Sequence, residues 1–197
     1  MDGQLREGGR ESSLELELNG VRCRSINIFE TEIPGREGKR YAENHSVPIF
    51  DGKAEEAANF YTSIFKNSKV LNVARYGEAG PGPKGTVMTV TFQLEGQQFT
   101  ALNGGPHYTF SPAISFFVNC ETQAEVDGLW EKLTAGGREV QCGWLQDKFG
   151  VSWQIIPRAL MELMQDKDPV KSQRVFKAML QMTKIDIEGL KRAYRGE

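Results

Sequence analysis

Polar and apolar positions follow two different periods along this chain, and each change of period marks a change of element. In ESSLELELNG, Leu14, Leu16 and Leu18 alternate with Glu15 and Glu17, and Asn19-Gly20 follows. Strict alternation closed by Asn-Gly predicts a hairpin over 14–29, because that dipeptide accepts the positive φ of a type I′ turn. A lone hairpin is marginal without a sheet to join. Residues 1–43 therefore read either as a flexible appendage or as an added edge hairpin. From residue 44 the pattern is regular. NHSVPIF predicts a strand. Ala54, Ala57, Ala58, Tyr61, Ile64 and Phe65 then recur at helical spacing, with Asp51 as the expected N-cap and Glu55 and Glu56 in the first turns. SKVLNVARYG predicts a strand, EAGPGPKG a loop, and VMTVTFQL with QQFTAL a hairpin around Glu95-Gly96. NGGPHYTFSPA is a turn-rich connection.

The second half repeats the plan. ISFFVNC predicts a strand. ETQAEVDGLWEKLTAGG predicts a helix with Val126, Leu129, Trp130 and Leu133 on one face and Gly136-Gly137 at its end. REVQCGWLQD and VSWQIIP supply further strands. Two helices follow: one opens with Asp168 as N-cap and Pro169 at the first helical position, the other is DIEGLKRAY. Strand, helix and three strands thus occur twice, a repeat of about 70 residues. KAEEAANFY echoes QAEVDGLWE, and Gly96 echoes Gly150, so Thr100 takes in the first half the place Gln154 takes in the second. The fold expected is α+β: paired βαβββ modules over 44–165 with a helical tail over 166–197.

Composition narrows the function classes. Net charge is −2 and no long basic stretch stands out, which argues against a dedicated nucleic-acid binder. Basic residues of the tail, Lys171, Arg174 and Lys177 among them, alternate with apolar stripes, as on an amphipathic helix packed on the sheet or on a partner. No apolar run reaches the roughly 18–20 residues of a membrane span, and the polar N-terminus has no signal-peptide core. The expected address is cytoplasmic. Cys23, Cys120 and Cys142, without CxxC spacing, suit free thiols in a reducing compartment. Only two histidines are present, His45 and His107, with no HxH or HExxH pattern, which disfavours a metal site built from imidazoles.

FDGKAEEAANFYTSIF, SPAISFFVNCETQAEVDGLWEKL and QCGWLQDKFGVSWQIIP together closely resemble the PhnB-like branch of the vicinal oxygen chelate superfamily. That superfamily includes glyoxalases, extradiol dioxygenases and bleomycin-resistance proteins, and the branch is often catalogued as 3-demethylubiquinone-9 3-methyltransferase. The resemblance covers roughly residues 45–195 and leaves 1–43 outside. It implies the glyoxalase/bleomycin-resistance fold, a sheet-lined cup and a homodimer. It also implies four ligand positions in members that bind metal. Here the last-strand positions fall at Gln154, four residues after the Gly of DKFG, and at Thr100. The first-strand positions fall at Ala113, which cannot ligate, and among Glu43, Asn44 and His45. Only Gln154 and His45 are metal candidates, both weak, so no cofactor is expected. The methyltransferase name is also at odds with the residues. A methyltransferase using S-adenosylmethionine usually carries a Gly-rich turn between a parallel strand and a helix, whereas GEAGPGPKG is broken by proline between hairpin strands.

Alternation along VSWQII places Trp153 and Gln154 on opposite faces, with Ser152 and Ile156 beside Gln154. Ser115 and Phe117 likewise share a face of ISFFV. The aromatics Trp144, Phe149, Trp153, Phe116, Phe117 and Tyr108 gather in the second half. An apolar concavity with a few amides and hydroxyls suits a small-molecule site. The expected ligand-binding residues are Gln154, Ser152, Ser115, Phe117, Trp144 and Tyr108. Cys142, with His107 as a distant base, reads more readily as an inert thiol than as a nucleophile, and no catalytic residue is assigned. Two functions stay open. One is binding of a small, partly apolar molecule without chemistry. The other is an enzyme of the same superfamily: a metal-dependent lyase or dioxygenase, or the catalogued methyltransferase. A small-molecule ligand and a second copy of the chain are the partners expected, with no nucleic acid and no membrane.

Overall fold

The computed structural model describes residues 44–197 and, before them, the backbone of two short strands, β1 (Leu16–Leu18) and β2 (Val21–Cys23). These pair antiparallel, with Leu16 opposite Cys23 and Leu18 opposite Val21. The rest of 1–43, the Asn19-Gly20 connection included, lies outside the described residues. So does the choice between appendage and edge hairpin. Residues 1–43 and 44–197 are separate units.

The second unit opens with β3 (Ile49–Phe50), α1 (Ala54–Ile64), β4 (Lys69–Arg75), β5 (Val87–Leu94) and β6 (Gln97–Asn103). It continues with β7 (Phe116–Cys120), α2 (Gln123–Thr134), β8 (Arg138–Glu139), β9 (Trp144–Gln146) and β10 (Ser152–Pro157). The strand orders are β3-β6-β5-β4 and β7-β10-β9-β8. In each sheet the first strand of the module lies parallel to the last, and the remaining pairs are antiparallel. The repeat in the sequence is therefore a repeat of topology, and each module keeps its own four-stranded sheet.

Local chemistry explains the boundaries. Glu95 and Gly96 both have positive φ, 46° and 91°, as a two-residue type I′ turn requires, and Leu94 pairs Gln97 across it. At α2, Thr122 is the N-cap and its hydroxyl accepts the Glu125 N–H. At α1 the expected cap is displaced. Gly52 turns the chain with φ 70°, Asp51 lies outside the helix, and Lys53 holds the N-cap position without a side-chain bond. The Ala54 N–H is instead taken by Asn103 Oδ1 at 2.9 Å, while Asn103 Nδ2 donates to Val87 O. A residue 49 positions away thus caps the helix.

Both helices pack on one face of each sheet and form a common core. Ala57, Ala58, Tyr61 and Phe65 meet Val90, Phe92, Phe99 and Ala101 of the first module, and Val126, Trp130, Leu133, Leu145, Trp153 and Ile155 of the second. Aromatic contacts cross between modules: Tyr61 to Trp153 at 5.3 Å, Phe65 to Trp153 at 5.4 Å, and Phe99 to Phe116 at 5.1 Å. Such pairs add about 0.5–1.5 kcal/mol each beyond the area they bury.

Three helices end the chain: α3 (Arg158–Met164), α4 (Pro169–Met179) and α5 (Ile187–Arg195). The first of them is absent from the sequence reading, since its seven residues follow a proline directly. Val175, Ile185 and Leu190 close over Leu160 and Ile156 as a second core, while Val170 stays exposed. The tail is tied to the second module by backbone: Cys142 N–H donates to Met182 O at 2.7 Å, and Gly143 N–H to Thr183 O at 2.8 Å. The Gln123 amide works as a clip, with Nε2 donating to Ile185 O and Oε1 accepting the Ile187 N–H. Gln123→Ala leaves both groups without that partner. It is expected to cost about 1–3 kcal/mol and to raise amide hydrogen exchange across 182–195 before the modules are affected.

Candidate functional site

The turn DKFG positions the second sheet. Asp147, 3 % exposed, faces four donors: the Phe149 and Val151 N–H groups at 2.9 and 3.0 Å, Tyr61 Oη at 2.7 Å and Trp153 Nε1 at 2.9 Å. Burial pushes its carboxyl up from the ordinary range, and the four hydrogen bonds draw it part of the way back. Burial, with Asp147 beside it, raises the Tyr61 hydroxyl well above its usual value. Tyr61 comes from α1 and Trp153 from β10, so this carboxylate locks the two modules together. It is fully partnered and buried in the core. Nothing in the sequence reading singled it out. The signal available was an Asp at the head of a tight Gly turn, with Phe149 and Trp153 two and six residues further on.

Trp153 lies in the core and Gln154 on the opposite face, as alternation predicts. Across the sheet Gln154 stands between Trp144 on β9 and Phe117 on β7. Directly opposed residues share a face, so these three form one row. Gln154 Nε2 donates to Ser115 Oγ at 2.8 Å. Phe117 is 48 % exposed, and Trp144 and Gln154 are half-buried. Of the six expected binding residues, the fold thus unites Gln154, Ser115, Phe117 and Trp144. Ile156 shares their face by alternation, but the tail helices cover it.

Ser152 and Tyr108 belong elsewhere. They line a groove of about 500 Å³ between the segment Ser46–Ile49 and the connection Tyr108–Ile114, with Phe116 and Val151 beneath. Ser152 is 5 % exposed, and Tyr108 is 61 % exposed at the rim. The aromatic cluster read from the sequence is likewise split, because Phe116, Phe149 and Trp153 belong to the core.

The donor set does not fit a divalent metal. Gln154 offers a neutral amide, engaged with Ser115. Ala113 lies outside β7 in an exposed turn, and the side chain actually beside Gln154 is Ser115. Ser46 bridges Phe99 and Ile49 pairs Leu102, which sets Val47 against Thr100 and puts His45 where Ser115 stands in the other module. His45 is exposed, and Thr100 meets only Thr91, Oγ1 to Oγ1 at 3.4 Å, on the other sheet. Among the described residues no three of His, Cys, Asp and Glu gather where a metal ion could be held. Such an ion needs three or four donors, preferably anionic or imidazole.

Neither of the two described cysteines has the lowered thiol pKa of an activated nucleophile. Burial, with Glu125 and Glu121 nearby, pushes the Cys120 thiol up to about 11, and burial also raises Cys142. A raised thiol pKa leaves little thiolate at neutral pH. His107 is exposed on the connection between the modules. The loop Gly77–Gly85 joins antiparallel β4 and β5, with Gly80 and Gly82 against the Tyr76 ring. It is not the strand-to-helix turn of a nucleotide site. No described helix is long and apolar enough to cross a membrane.

Comparison with known proteins fits this geometry. A family model described as 3-demethylubiquinone-9 3-methyltransferase matches residues 43–156. The match ends at Ile156, so the tail helices lie beyond it, although the sequence resemblance was drawn through them. No curated protein matches the chain. Among solved structures, a PhnB protein of Bacillus cereus, described under the same methyltransferase name, is 42 % identical with a TM-score of 0.53. The alignment covers 57 % of this chain and 97 % of that one. A glyoxylase/bleomycin resistance protein/dioxygenase domain from Frankia is 17 % identical, TM-score 0.39, covering 58 % and 95 %. The fosfomycin resistance protein FosX of Listeria monocytogenes, in complex with Mn(II) and sulfate, is 15 % identical, TM-score 0.41, covering 58 % and 88 %. Two βαβββ modules with one strand order, matched over 43–156, make this chain a member of the PhnB-like, glyoxalase-fold family catalogued as 3-demethylubiquinone-9 3-methyltransferase.

Proposed function

We propose that this protein binds a small, partly apolar molecule on the open face of the second sheet, and that a second copy of the chain completes the pocket in a homodimer. The observation that supports this reading is the row Trp144–Gln154–Phe117. An amide is held by Ser115 between two aromatic side chains, on the sheet face that the helices α1 and α2 leave uncovered. Gln154 Oε1 has no protein partner among the described residues, so it offers an acceptor to a ligand N–H or O–H. Trp144 and Phe117 supply apolar walls. A cytoplasmic address belongs to the same reading, supported by the free thiols of Cys120 and Cys142.

The test has two parts. Sedimentation velocity on the wild type is expected to show a dimer, and Phe117→Glu to weaken self-association at least tenfold or so, as loss of an interface aromatic does. A fragment screen followed by ¹⁵N spectroscopy is expected to move the Gln154 side-chain amide, with binding lost in Gln154→Ala. A wild-type monomer, or fragments that leave that amide resonance in place, would defeat the proposal.

A further inference from the structure

The groove between the first strands of the two modules is a second candidate site, and Gln154, Trp144 and Phe117 do not line it. Its thirteen lining residues include no charged side chain: Val, Pro, Ile, Ala, Phe and Val positions alternate with the hydroxyls of Ser46, Tyr108, Thr109, Ser111 and Ser152. Three large apolar side chains stand exposed around it, Val47 at 47 %, Tyr108 at 61 % and Ile114 at 78 %. Isolated exposed apolar residues are common, but a group of them rimming a concavity marks a contact surface. The volume, about 500 Å³, is that of a small-molecule pocket.

Ser152 supplies an independent observation. Its side chain is nine-tenths buried on the groove floor, and its hydroxyl has no hydrogen-bond partner among the described residues. No sealed side-chain nitrogen or oxygen in the described structure lacks a partner, so the Ser152 hydroxyl is open to the groove. That hydroxyl is a polar handle on an otherwise apolar floor, and an occupant with one well-placed oxygen or nitrogen can pair with it. We propose that this groove binds an uncharged, largely apolar small molecule whose carbonyl or hydroxyl group pairs with Ser152. Charge is what separates this ligand class from others. The walls hold no cation to meet an anion, and an anionic ligand would lose hydration without compensation. The groove continues past Tyr108 and Phe110 toward Lys53 and Lys148, but Asp51 stands there too and Lys148 is paired with Glu56 at 2.8 Å, so that end offers no net positive charge.

Nile red, a neutral carbonyl-bearing dye, is the probe, with the anionic dye 8-anilinonaphthalene-1-sulfonate as its counterpart. Nile red is expected to bind at about one molecule per chain and at least tenfold or so more tightly than the sulfonate. Ile114→Asp places a carboxylate at the rim. Ile114 is already exposed, so folding is preserved, and affinity is expected to fall by more than about tenfold. Ser152→Ala is expected to weaken binding by about fivefold through loss of one hydrogen bond. Phe117→Glu, at a residue that does not line the groove, is expected to leave the dye unaffected, which separates failure of this site from failure of the Gln154 row. Binding that ignores Ile114→Asp and Ser152→Ala, or a preference for the sulfonate, overturns the proposal. So does a change from dimer to monomer in Ile114→Asp with dye binding intact, because the occupant would then be a second copy of the chain.

Discussion

Asp147→Ala is expected to lower the unfolding free energy by roughly 4 kcal/mol, read as a shift in the urea midpoint. The substitution leaves four donors facing a hole, and two of them, Tyr61 Oη and Trp153 Nε1, belong to different modules. Asp147→Asn is expected to cost about half as much. Its oxygen still accepts from Phe149 and Val151. Its amide N–H, however, meets Trp153 Nε1–H, which can only donate, whereas the Tyr61 hydroxyl can turn and accept. Tyr61→Phe in the same background tests the coupling. The two substitutions share one network, so their combined effect should fall short of the sum. A full sum would mean that Asp147 and Tyr61 are not coupled and that the modules are held by apolar contact alone.

Gly137→Ala is expected to cost at least roughly 3 kcal/mol. A Cβ on Gly137 would lie 2.1 Å from Gln146 O and 2.8 Å from Asp147 C and Cα, all backbone atoms of the same turn. Backbone cannot rotate away as a side chain does, so β8 must separate from β9 or the Asp147 turn must move. The neighbouring Gly136 makes the comparison sharp. It has φ 76°, and its nearest contact is Lys148 Cβ at 3.3 Å, so Gly136→Ala should cost only about 1 kcal/mol of backbone strain. Thermal denaturation of the two variants side by side decides the matter. Equal losses would show that the turn yields easily, and that Gly137 serves the helix end rather than the close approach.

The Gly136-Gly137 pair shows how far a sequence carries. Both glycines read as the end of α2, and Gly136 serves that role with its left-handed backbone. The need for Gly137 comes from a strand that returns nine residues later, which no local pattern contains. The site divides in the same way. Opposite faces for Trp153 and Gln154 follow from the two-residue period of a strand, and so does the shared face of Ser115 and Phe117. That Ser115, and not Ala113, meets Gln154 depends on the register of β7 against β10, which is set by packing between elements about 40 residues apart.

By itself the sequence determined whatever is governed by short-range periodicity and turn chemistry. It carried the two βαβββ modules, their helices and hairpin, the α+β class and the family. The cap expected at Asp168 held, where the partner is adjacent, and the one expected at Asp51 failed, since α1 is capped from a distance by Asn103 of β6. The tertiary structure alone decided the rest. It made Asp147 a buried junction instead of a loop residue, closed the tail over Ile156, and separated Ser152 and Tyr108 from the Gln154 row. Each of those outcomes is a contact between residues far apart in the chain. Local pattern determines which face a side chain presents, but only packing determines what that face meets.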